Sequence, residues 1–65
     1  MMDLAAVVTE RRRTLGLTQL DAADMAGVSE RFVRDVEAGK RSVRLDKAEA
    51  LLAALGLRLT ATVQR

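Results

Sequence analysis

The 65-residue chain has no cysteine, histidine or proline, no tryptophan or tyrosine, and a single phenylalanine. Each absence excludes something. Without cysteine there is no disulfide framework. Without cysteine and histidine, thiolate and imidazole metal sites are excluded, as are Cys/His and Ser/His catalytic pairs. No acid pair stands beside a nucleophile, so neither an enzyme nor a cofactor is expected. No apolar run approaches the roughly 18 residues that a membrane span needs. The opening "MMDLAAVVTERRR" is too short and too soon charged for a signal peptide. The expected location is cytosolic, with no membrane partner. A chain this short makes one small domain and buries only about 60% of its unfolded surface. Stability must come from well-packed helices or from a partner chain.

The charge is modest overall but uneven. Residues 1–28 carry three arginines against four acids, a net −1, while residues 29–65 carry eight basic and five acidic residues, a net +3. A basic second half permits a polyanionic partner. On charge alone, an ordinary solvated surface is the better reading.

Lack of proline leaves most of the chain free to be helical, and the four glycines divide it. Gly16, Gly27, Gly39 and Gly56 each follow a stretch of helical character, where a left-handed stop is cheapest as glycine. Four helices and a tail are predicted. The first runs from about Asp3 to Leu15, with Leu4, Val7, Val8 and Leu15 as its buried stripe. The second follows Thr18 and ends at Ala26; "TQLD" reads as a weak capping box. Ala22, Ala23 and Ala26 share one face of it, which buries little area but lets another helix approach closely.

The third helix follows Ser29 and ends at Ala38. On a wheel of about 100° per residue, Glu30, Arg31, Arg34, Asp35 and Ala38 share a polar arc. Phe32, Val33 and Val36 lie opposite, with Glu37 at the seam. The basic loop "KRSVR" leads to a fourth helix from about Leu45 to Leu55, with a core stripe of Leu45, Ala48, Leu51, Leu52 and Leu55. Residues 57–64, "LRLTATVQ", then alternate Leu57, Leu59, Ala61 and Val63 against polar residues, the period of a strand. A lone strand leaves unpaired backbone groups, and the same strand of a second copy would satisfy them in a symmetric dimer. The alternatives are a frayed tail or a continuation of the last helix.

Two helices joined by a short turn containing Gly27 have the geometry of a helix-turn-helix. Between Gln19 and Ala38 the sequence meets the motif's steric demands. Ala23 is small at the helix contact, Gly27 sits in the turn, and Val33 and Val36 are branched residues on the inner face. In this, "LGLTQLDAADMAGVSERFVRDVEAGK" resembles the repressor-type helix-turn-helix domains of the Xre/Cro family, with its "LGLTQ" lead-in, "AGVS" turn and "EAGK" exit. The continuation "VRLDKAEALLAALGLRLTATVQ" is similar to that of HipB-like antitoxins. The resemblance covers about Val8 to Val63.

It implies an all-α fold: a four-helix lambda-repressor-like DNA-binding domain over residues 1–56, and a C-terminal β-strand over 57–65 pairing across a homodimer. It also implies a repressor of its own operon in the bacterial cytoplasm, on the nucleoid, that binds double-stranded DNA at an inverted-repeat operator and partners a HipA-type kinase toxin. Residue roles follow by position. Gln19 matches a glutamine that contacts the DNA backbone and steadies the recognition helix; Ser29, Glu30, Arg31 and Arg34 match positions that meet the major groove. Either arginine can make a bidentate contact to guanine. Glu30 can accept from a cytosine amino group or orient Arg34 four residues on. Lys40, Arg41 and Arg44 suit the flanking phosphates, and Leu57, Leu59, Ala61 and Val63 the dimer. Arg12 and Glu37 match an arginine and a glutamate that pair in this family, so a partly buried ion pair is expected. The rest of the arginine triplet, 11 and 13, reads as structural and surface charge.

Two other readings remain. One is a stand-alone Xre-type regulator of the same shape with no toxin. The other is a helical adaptor that binds only protein, which the polar arc of the third helix disfavours. Exposed Leu20 and Met25 would be contacts for a protein partner.

Overall fold

The computed structural model describes residues 3–60. It contains four helices: α1 (Leu4–Thr14), α2 (Gln19–Ala26), α3 (Glu30–Glu37) and α4 (Leu45–Ala54). Their starts are fixed by short polar side chains. Asp3 stands just outside α1 and accepts the Ala5 N–H. Thr18 and Asp21 form a full capping box, Thr18 Oγ1 accepting from the Asp21 N–H at 3.0 Å and Asp21 Oδ2 from the Thr18 N–H at 2.9 Å. Ser29 Oγ accepts from the Phe32 N–H at 3.0 Å. Such caps each stabilise a helix end by about 1 kcal/mol. α4 starts at Arg44 without a side-chain cap.

All four helices stop in the same way. The N–H of Gly16, Gly27, Gly39 and Gly56 turns back to a carbonyl three residues earlier, and the next N–H to a carbonyl five residues earlier. This paired closure satisfies the orphan carbonyls of a helix end and requires a left-handed residue. The residue after the glycine then decides where the chain goes. Leu17, Val28 and Leu57 fold back against the core. Lys40, after α3, lies exposed and reaches Asp35 through an ion pair at 3.6 Å. The chain is thus turned inward after α1, α2 and α4 and outward after α3.

The core is formed by Val8, Ala22, Ala23, Val33, Val36, Leu51, Leu52 and Leu55. α2 packs on both α3 and α4, and α1 packs on α3. The alanine face of α2 makes this possible, since Ala22 and Ala23 are fully covered and their short side chains bring the neighbouring backbones close. Leu51, Leu55, Val8 and Val33 are the largest side chains wholly removed from water, each stabilising by about 1.5–3 kcal/mol.

Two leucines assigned to the core by periodicity stand outside it. Leu15 is 43% exposed and Leu45 is 61% exposed. Leu15 has left α1 and lies at its cap, while Ala5 takes the buried place on that helix. Leu45 opens α4 one turn before Ala48, where the covered part of the stripe begins. Of the segment predicted to be a strand, Leu57–Thr60 are described and belong to no helix and no strand of this chain. A strand needs a partner edge, and among the described residues this chain offers none. Ala61 and Val63 lie outside the described residues.

Gly27 has φ +70° and open space around the position a Cβ would take, so only the backbone resists substitution. Gly27→Ala should cost about 1–2 kcal/mol and lower the melting temperature by roughly 5–10 °C, read by circular dichroism.

Candidate nucleic-acid interface

The site is built on α3, whose two sides do different work. Val33 and Val36 are buried and Phe32 packs against the core, fixing the helix to its own domain. Arg31 and Arg34 are exposed on the other side. Glu30 Oε1 accepts from Arg34 Nη2 at 2.7 Å, so in the free protein this carboxylate orients Arg34. The side chains of the pair remain 58% and 41% exposed, and an exposed pair of this kind is worth only about 0.3–0.5 kcal/mol. A base edge or phosphate can displace it. Ser29 has committed its oxygen to the Phe32 N–H but keeps a hydroxyl proton to donate.

The basic residues beyond α3 are also partly engaged. Lys40 pairs with Asp35. Arg44 grips Asp46 through two hydrogen bonds, at 3.1 and 2.7 Å. Arg41 is exposed. Among the described residues, Arg31 and Arg41 make no ion pair, so they supply the uncompensated positive charge of this face.

Behind α3 lies the best-organised polar cluster. Arg12, in the last turn of α1, donates through all three guanidinium nitrogens. Its Nε reaches Glu37 Oε2 at 2.6 Å, its Nη2 Glu37 Oε1 at 2.9 Å, and its Nη1 the Leu17 carbonyl at 2.9 Å. The two side chains are only 12% and 8% exposed. The Glu37 carboxyl is held below its ordinary value of 4.5, chiefly by the hydrogen bond from Arg12, against the desolvation that opposes it. The pair joins α1, the lead-in to α2 and the last turn of α3.

Gln19 also belongs to this cluster. Its Nε2 donates to Glu37 Oε1 at 3.2 Å, across 18 residues of sequence. The resemblance placed Gln19 at the DNA backbone and against the third helix, but did not name Glu37 as the residue it meets there. Arg11, expected to be structural or surface charge, has a partner the sequence did not give. Its Nε donates to the Leu55 carbonyl at 2.8 Å, closing the end of α4, and its Nη2 would lie 3.3 Å from a Cβ at Gly56.

A glycine-turned helix pair, with the second helix anchored by one arc and presenting arginines on the other, defines a DNA-binding domain of the helix-turn-helix class. A helix of this kind fits the major groove, about 12 Å wide. Comparison with known families agrees: the family described as "Helix-turn-helix" matches residues 8–61, and the chain belongs to it. It is similar to an uncharacterised HTH-type transcriptional regulator, y4mF, of Sinorhizobium fredii. The two are 39% identical over 54 residues, covering 83% of this chain and 71% of that relative.

Removing one partner of a desolvated pair strands the other. Glu37→Ala should therefore destabilise the domain by about 3 kcal/mol, measured as a lower urea midpoint. The pH dependence follows from the lowered Glu37 value. The unfolded chain binds that proton more readily, so the stabilisation is full above 4.5 and is lost as pH falls through the folded value. Asp21 and Asp46 are shifted the same way, Asp21 by its backbone bond with Thr18 and Asp46 by the hydrogen bond from Arg44. Comparison with Glu37→Gln isolates Glu37: the wild type should lose more stability than the variant between pH 6 and about pH 3.

Proposed function

We propose that the protein is a transcriptional repressor that binds an inverted-repeat operator as a homodimer and acts as the antitoxin of a HipA-type kinase toxin. The observation that carries the DNA reading is the outward arc of α3, where Arg31 and Arg34 are exposed one turn apart while the opposite arc is buried. Each guanidinium can offer two donors to guanine O6 and N7. Ser29 stands at the helix start, with Gln19 at the start of α2, where phosphate is favoured. Lys40, Arg41 and Arg44 flank the helix on the loop that turns outward. Membership of the helix-turn-helix family and the transcriptional-regulator relative in Sinorhizobium fredii support the same reading.

The dimer rests on the alternating segment from Leu57 to Val63. Leu59, 50% exposed, is available for pairing. The antitoxin role rests on the similarity of residues 43–64 to HipB-like chains and on the exposure of Leu20 and Met25, 51% and 57%.

Selection of bound duplexes from random DNA tests the reading. The wild type should enrich an inverted repeat with half-sites about one helical turn apart. Arg34→Ala should lose discrimination at one position of each half-site, at about 1–3 kcal/mol. Arg41→Ala should weaken all sequences alike and lower the salt dependence by about one phosphate contact. Enrichment of no sequence, or of one without two-fold symmetry, would count against an operator-binding dimer.

Deleting residues 57–65 should give a monomer by light scattering with weak operator binding, and a truncated protein that remains dimeric overturns the strand's role. Copurification with a kinase encoded by a neighbouring gene separates the antitoxin from a stand-alone regulator.

A further inference from the structure

We infer that Glu37 has a second role besides pairing with Arg12: it holds the Gln19 side chain in position for a DNA phosphate. This rests on the DNA-binding reading and adds a positioning residue that lies behind the interface. Glu37 Oε1 accepts from Arg12 Nη2 at 2.9 Å and from Gln19 Nε2 at 3.2 Å. Arg12 holds the carboxylate from the other side through Nε at 2.6 Å. The acceptor that meets Gln19 is therefore fixed by two charge-assisted bonds.

A glutamine amide carries two N–H groups. One is spent on Glu37, which fixes the plane of the amide. The other is left to donate, from the first residue of α2. Phosphates favour that end of a helix, where the leading N–H groups have no partner within it. Asp21 lies in the same turn, and its charge opposes an anion there. An already oriented Gln19 donor offsets this opposition, because ordering a long side chain on binding otherwise costs about 2- to 10-fold in affinity.

The composition makes the test clean. The chain has no asparagine and only two glutamines, Gln19 and Gln64, so its side-chain amide NMR spectrum holds two NH₂ pairs, assigned by Gln19→Ala. The ion pair is removed at constant net charge by the double variant Arg12→Met, Glu37→Met. Apolar replacement of a desolvated pair commonly preserves stability, and it deletes the acceptor for Gln19. Affinities for the duplex selected by the wild type are measured by fluorescence anisotropy, at a temperature where circular dichroism shows every variant folded.

In the wild type, the Gln19 NH₂ pair should be rigid by heteronuclear NOE before DNA is added, and one of its protons should shift on binding. Gln19→Ala should weaken binding by about ten-fold, the worth of one hydrogen bond to a charged group. The Met pair, with Gln19 intact, should itself weaken binding by about 2- to 10-fold, and Gln19→Ala should cost less in the Met background than alone. Equal cost of Gln19→Ala in both backgrounds overturns the inference, as does unchanged affinity of the Met pair. If the Met pair does not fold, the wild-type spectrum decides: a mobile Gln19 amide, or one that duplex leaves unshifted, overturns it. A wild type that binds no duplex removes the DNA reading itself, and the inference with it.

Discussion

The Arg12–Glu37 pair is the polar constraint on which the arrangement of helices depends. Among the described residues no polar or charged residue is fully buried, and this pair is the least exposed of the ion pairs among them. α1 packs on α3, while α2 lies between α3 and α4. The apolar contacts that set these positions come from Val8, Ala22, Ala23, Val33, Val36, Leu51, Leu52 and Leu55, and apolar burial is non-directional. Arg12 adds a directional contact. Its planar fork meets the carboxylate in two places and the Leu17 carbonyl in a third, a geometry lysine could not reproduce. The pair also costs desolvation. Its value lies as much in fixing α3 relative to the start of α2 as in net stability.

The helix stops carry the same logic outward. Four glycine closures with one hydrogen-bond pattern differ only in the residue that follows. Where that residue is apolar, the chain returns to the core. Where it is Lys40, the chain leaves it. The loop after α3 is thereby placed beside the exposed arc of that helix, with cations near the helix's negative end, where they are favoured. A single choice of residue type at one position separates the packing loops from the loop available to a ligand.

Much of this was legible in the sequence. The glycine spacing marked the four helices, Thr18 and Ser29 marked two of their starts, and the wheel of α3 separated Val33 and Val36 from Arg31 and Arg34. What the sequence left dark has a common physical form. Periodicity tells which face of a helix is apolar, but not how far along the helix a neighbour covers it. That is why Leu15 and Leu45 were assigned to a core they do not enter. Bonds between a side chain and a distant backbone group, such as Arg11 to the Leu55 carbonyl, depend on the tertiary fold and have no local signature. The Gln19–Glu37 bond is of the same kind: each residue had a role by position, and only the fold brings the two together.

The surface pairs around α3 bear on how such a domain would discriminate between sequences. Arg34, Lys40 and Arg44 each face an acid in the free protein, and the net charge is only +2. Non-specific attraction to DNA scales with uncompensated positive charge, so these acids reduce it. They do so weakly, at about 0.2–1 kcal/mol per exposed pair. A contact that gives an arginine only one phosphate oxygen gains little beyond the pair it breaks. A guanine that offers two acceptors gains about 1–3 kcal/mol and exceeds that cost. On the DNA-binding reading, the acids of α3 and of the first turn of α4 therefore suppress indiscriminate binding more than correct binding. The mixture of charges on this face becomes a means of widening the gap between the two.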